Sequence, residues 1–157
     1  VKADAVGETF TLKPTKGSVS DQGTASVEID LASIETGISI RNERMREHLF
    51  ETGKWATAKI SGQVDFSNLP KLEVGQQTSF SSDIMVDLHG VSNQYEVRFV
   101  LTRLSADKVL VQSAQAVAVH AKDFTLMPGL NKLQQLAKLP SITPVVAVRF
   151  TLVFEGA

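Results

Sequence analysis

The chain has no cysteine among its 157 residues. That excludes disulfides and thiolate chemistry, and it fits either a reducing cytosol or a periplasm reached without disulfide formation. Charge of one sign is also missing. The formal net charge is -1, acidic and basic residues are interspersed, and no electrostatic footprint for a nucleic acid is visible. No apolar run approaches the roughly 18 residues of a spanning helix. No leader sequence is visible, and the chain starts at Val1, which reads as a processed or trimmed form. Repeats and low-complexity segments are absent, as are the G-x-S-x-G, phosphate-loop and dinucleotide fingerprints. His48, His89 and His120 are far apart and show no ligand spacing, so no metal site is expected. What remains is an ordinary globular composition, 43% hydrophobic and 21% charged, in a length that suits one domain with a sizeable core.

Two-residue alternation dominates. Ala25, Val27, Ile29 and Leu31 alternate with Ser26, Glu28 and Asp30. In Trp55–Ser67, Ala58, Ile60, Gly62, Val64 and Phe66 share a face. Phe80, Ser82, Ile84, Val86 and Leu88 form the next strand, His89-Gly90 a turn, and Tyr95, Val97, Phe99 and Leu101 its hairpin partner. Long strands are expected at Val109–Ala121 and Val145–Phe154, the latter with Val146, Val148, Phe150, Leu152 and Phe154 on one face. Near the start, Phe10 and Leu12 open a two-period pattern before Pro14, and Lys16–Ser18 reads as a turn.

Ser33–Trp55 breaks this pattern. It is rich in helix formers, and Met45 and Leu49 make a short apolar stripe flanked by Arg41 and His48 on one side and Asn42 and Arg46 on the other. A second helix is expected at Leu130–Leu139, with Leu130, Leu133 and Ala137 on one face and Pro140 as its stop. About seven or eight strands joined by short links argue for an all-β, antiparallel up-and-down barrel with two short helices.

The chain resembles the YceI-like family of lipocalin-like, polyisoprenoid-binding proteins. The resemblance rests on Leu31–Gly37, Arg41–Arg46, Leu49–Thr52, Lys54–Ala58, Leu88–Ser92 and Lys122–Phe124, in the family's order. It departs where the family usually has an acidic residue (Asn42), often a His (Arg44), and commonly a Pro after the aromatic (Ala56). The family usually begins with an additional strand, of which Lys2–Phe10 reads as the end, so residues 1–157 are expected to form a single domain lacking part of that strand.

The resemblance implies a barrel around a long apolar channel, in an exported protein, periplasmic or secreted. The function it implies is binding, with carriage or storage, of an amphipathic isoprenoid such as a polyprenyl or quinone-like lipid. No catalysis and no cofactor other than such a lipid are expected. The interior set is Ile60, Val64, Phe66, Ile84, Val86, Tyr95, Val97, Phe99, Phe150 and Leu152, with Trp55 able to touch the ligand. Arg41, Asn42 and Arg46, with Met45, Leu49 and Phe50 beneath them, would meet a head group at a mouth covered by the helix. Small residues Ala58, Gly62 and Ser82 are consistent with open space. Each assignment has a plainer counterpart. Alternation alone favours a filled interior, since barrels of this size commonly fill themselves, and the basic border can be a solvated helix face. The competing readings are an envelope stress or interaction module with a filled barrel, and a lipid-acting enzyme, for which no polar cluster is visible. No nucleic-acid or membrane-spanning role is expected, and a homodimer stays open.

Overall fold

Seven antiparallel strands curl into a nearly closed barrel in the computed structural model, which describes residues 9–156. The elements run β1 (Thr11–Val19), β2 (Thr24–Glu35), α1 (Ser39–Arg44), β3 (Thr57–Gln63), β4 (Gln77–Leu88), β5 (Val91–Arg103), β6 (Lys108–Ser113), β7 (Val117–His120), α2 (Met127–Ala137), β8 (Val145–Val148) and β9 (Thr151–Glu155). The sheet order is β1-β2-β3-β4-β5-β6-β9, with β7 and β8 as a separate pair. The two ends of the sheet meet through side chains: a Cβ built on Gly17 of β1 would lie 3.6 Å from a ring carbon of Phe154 on β9.

The β4–β5 hairpin follows the expected alternation from Gln77↔Thr102 to Leu88↔Val91. Its turn residues His89 and Gly90 have φ of 55° and 75°, the left-handed pair whose twist matches that of the flanking strands. β2 pairs with β3 only as far as Asp30↔Thr57. Beyond it, Asp30 Oδ1 accepts from Ala32 N at 2.9 Å, and Ser33 Oγ donates to Asp30 O at 2.6 Å. This bulge resets the phase, so Leu31 and Ile34, three residues apart, are both buried.

Several expectations need correction. Lys16–Ser18 is strand rather than turn, because β1 accommodates Pro14 at a register shift on the sheet edge, where a missing N–H is tolerated. Val109–Ala121 divides into β6 and β7, and Val145–Phe154 into β8 and β9. The chain turns a corner there: Ser113 Oγ accepts from Phe150 N at 3.0 Å while Ser113 N donates to Phe150 O. β3 ends at Gln63, and Phe66 sits in a short 3₁₀ turn whose Ser67 N donates to Asp65 Oδ1. α2 starts three residues earlier than expected, and Ala137 is exposed while Leu130 and Leu133 pack inward. The expectation for Lys2–Phe10 lies outside the described residues except at Thr9 and Phe10.

The first helix begins as α1 and continues as a π-helical segment, Met45–Phe50. Its Met45, Leu49 and Phe50 join Leu31, Ile34, Ala58, Phe124 and Leu126 in the larger core cluster. α2 lies across this segment at Gly129, where backbone meets backbone. A second cluster, Ile84, Val97 and Phe99, occupies the middle of the barrel, and Val86 and Tyr95 touch both.

Candidate functional site

The helix seals one end of the barrel, and the other end holds an apolar cavity of about 760 Å³. That volume lies within the roughly 300–1,000 Å³ typical of small-molecule sites. The β4–β5 hairpin fixes the polarity of the arrangement. Val86, Leu88, Val91 and Tyr95, nearest its turn, pack on the helix-side core. Phe80, Ser82, Ile84, Phe99, Leu101 and Arg103, toward its open end, line the cavity.

The void has a cause in the sequence. Gly17, Ala25, Gly62 and Ser82 lie on four neighbouring strands and all line the cavity. Ala25 is paired with Gly62, Gly62 with Ile84 and Gly17 with Val27. Four consecutive strands therefore place a residue with little or no side chain on one wall, and the large residues opposite do not reach across. The rim is polar, with Asp21, Arg103, Asp107, Lys108 and Glu155 around it.

The structure brings together Ile60, Val64, Phe66, Ile84, Phe99, Phe150 and Leu152 on the lining. Val97 packs beneath with Ile84 and Phe99, and Val86 and Tyr95 form the layer between the two clusters. The helix residues are elsewhere. Met45, Leu49 and Phe50 are core, and the polar ones bind the end of β2. Arg46 Nε donates to Ala32 O at 2.8 Å, and Arg41 Nη2 to Thr36 O at 2.7 Å. Buried Asn42 accepts from Thr36 N at 2.9 Å and donates to Glu35 Oε1 at 3.1 Å. This contact with Asn42 is the largest of the effects holding the Glu35 carboxyl below its ordinary range. The helix is thus the floor of the barrel rather than a lid over its mouth. Ala58, too, belongs to the helix-side core and opens no space. Sequence reasoning did not assign to the site Gly17, Ala25, Val27, Phe80, Leu101, Phe154 or the charged rim. The signal was partly present, since Phe80, Leu101 and Phe154 share the phase of assigned residues on their strands.

The family-like motif residues His89 and Trp55 form a joint at the closed end. His89 Nε2 is 2.6 Å from Glu51 Oε2, and its Nδ1 is 3.0 Å from Phe124 O and 2.9 Å from Thr125 Oγ1. The Thr125 hydroxyl also donates to Phe124 O. The Trp55 ring packs against the imidazole at a tilt of 53°, with centroids 4.2 Å apart, and Lys54 Nζ lies 4.4 Å from the centre of the indole. Glu51, His89 and Thr125 are all left-handed non-glycine residues, with φ of 51°, 55° and 56°. Such strain can mark reactive sites, but here each group is engaged by another protein group and the three tie helix, hairpin and 3₁₀ turn together. Among the described residues no cluster could hold a metal ion, and no helix is long and apolar enough to cross a membrane. A shallower depression of about 480 Å³, lined by Glu43, Arg46, Glu47, Glu51, Thr52, Gly53 and Lys54, lies outside the floor helix and offers little apolar wall.

Tyr95 stacks on Phe124 beneath the cavity, and its buried hydroxyl has no hydrogen-bond partner among the described residues. Burial, and to a lesser degree the Asp123 carboxylate, push its phenol above the ordinary tyrosine value. The folded state therefore holds the proton more tightly than the unfolded one. The associated stability is present below the unfolded pKa and is lost as pH rises through the folded value. The chain has one tyrosine, so phenolate absorbance reads Tyr95 alone. The native midpoint is expected above 10.0, returning to the ordinary value in denaturant. A native midpoint at or below that value would mean a solvated ring.

The model of the YceI-like domain matches residues 3–154. A polyisoprenoid-binding domain from Saccharophagus degradans, implicated in plant cell wall breakdown, is 36% identical with a TM-score of 0.86, over 90% of this chain and 81% of that one. The Campylobacter jejuni YceI protein (10% identity, TM-score 0.66, 100% and 88% coverage) and Burkholderia cenocepacia BcnA (15%, 0.65, 92% and 83%) share the fold. No curated protein matched.

Proposed function

This chain belongs to the YceI-like family, and from that premise we propose that it is a non-enzymatic binder that takes the tail of an isoprenoid lipid into its barrel. The observation that carries the reading is the cavity walled by Gly17, Ala25, Gly62 and Ser82 on one side and by large apolar residues on the other. An isoprenoid tail is apolar along its length and offers few groups for directional bonding. Its binding energy is area removed from water, roughly 25 cal/mol per Å², which a greasy cavity supplies without polar contacts along the tail. A neighbour at 36% identity is described as polyisoprenoid-binding, which supports the same tail chemistry here. The reading extends to carriage or storage of that lipid in the periplasm or outside the cell.

The tail enters from the rim and stops at the Ile84–Phe99 layer, since the helix-side half of the barrel is packed. The test is solvent extraction of purified protein with mass spectrometry of the extract, beside fluorescence titration with farnesol. A co-purifying prenyl lipid, or saturable uptake of farnesol, is the expected result. An empty extract together with no uptake overturns the proposal and leaves the interaction-module reading.

A further inference from the structure

We infer that the head group this barrel accepts is uncharged, an alcohol or a quinone rather than a phosphate or pyrophosphate. The inference rests on the tail-burial reading above. A tail inserted into the cavity leaves its head at the rim, because the opposite end is sealed by the helix and Gly129. The rim carries three carboxylates, Asp21, Asp107 and Glu155, against two cations, Arg103 and Lys108.

Both cations are already engaged. Lys108 Nζ lies 3.1 Å from Glu155 Oε1, and Arg103 Nη2 donates to Ala106 O at 2.6 Å. Asp107 accepts from Ser105 Oγ at 2.7 Å. The Ser105 hydroxyl holds the Asp107 carboxyl below its ordinary range, and Glu155 holds the Lys108 ammonium above its own. Both effects favour the charged forms of Asp107 and Lys108. A pyrophosphate would have to displace Glu155 from Lys108 while standing beside Asp107, and its remaining cationic partner, Arg103, already donates one N–H to Ala106 O and faces three carboxylates at the same rim. An alcohol or carbonyl meets no such opposition, and the rim supplies the neutral partners it needs in Ser18 and Ser20.

The experiment is calorimetric titration of the full chain with farnesol and with farnesyl pyrophosphate, which share one tail, at about 0.1 M salt, where screening acts over roughly 10 Å. Farnesol is expected to bind at least tenfold more tightly. The doubly neutralised variant Asp107→Asn/Glu155→Gln is expected to gain at least threefold for the pyrophosphate relative to farnesol. Equal or tighter binding of the pyrophosphate by the wild-type protein, or no gain in the variant, overturns the inference while leaving tail burial intact. Binding of neither compound removes the tail-burial reading itself, and the inference with it.

Discussion

Replacing Ala25 by Phe is expected to lower affinity for farnesol at least tenfold, about 1.4 kcal/mol, without lowering the unfolding temperature. Ala25 lies on the cavity wall between Val19 of β1 and Gly62 of β3, and the glycine leaves the space on its β3 side open. A ring at this position projects into space that is otherwise available to a ligand. The same ring gains apolar contacts with Val27, Ile60 and Phe154, and cavity filling commonly raises stability by about 0.5–2 kcal/mol. Loss of binding through misfolding and loss through occupancy thus move the unfolding temperature in opposite directions. Lys59→Phe, on an exposed position of β3, serves as the matched control and is expected to bind normally. Undiminished affinity in Ala25→Phe would mean that the ligand lies elsewhere.

The Gly129→Ala change is expected to destabilise the protein by about 3 kcal/mol, read as a lower urea midpoint at unchanged slope. A Cβ there would stand 2.2 Å from His48 O and 2.9 Å from Leu49 Cα. These are backbone atoms of the π-helical floor, so no side chain can rotate away, and α2 must lift off Leu49 and Leu126. Gly53→Ala is the control, since nothing lies within 4 Å of its added Cβ, and its effect is expected within about 0.5 kcal/mol. A similarly small effect at Gly129 would show that α2 slides freely on the floor.

Gly129 also marks where sequence reasoning reached its limit. Nothing in Met127-Pro128-Gly129-Leu130 announces that a second backbone comes within contact distance. Alternation located β2, β3, β4 and β5, because each buries one face and each register slip would expose it. It missed the corners at Ala114–Ala116 and Arg149–Phe150, because the apolar phase runs through both and only Ser113, bonding Phe150 from both backbone and side chain, reveals the change of sheet. The family motif was readable, and its residues lie at the closed end of the barrel, away from the cavity. Arg41, Asn42, Arg46, Trp55 and His89 all lie where the helix is fastened, so their pattern records how the barrel is closed. A strand's period states which face is inward but not which end is open. That information came from where Gly17, Ala25, Gly62 and Ser82 fall along their strands once the register was known.

The sheet's ends meet through Gly17 and Phe154 rather than through a backbone ladder, so among the described residues β1 and β9 keep unpaired edges. An edge of this kind is a template on which another chain can add a strand. On the β1 side the template is spoiled three ways: Pro14 withholds a donor, two register shifts break the repeat, and Lys13 and Lys16 place charge along it. Pro14 and the Lys16–Ser18 segment, which made this stretch unreadable as a strand, thus guard a barrel with an open seam against fibre-like self-association.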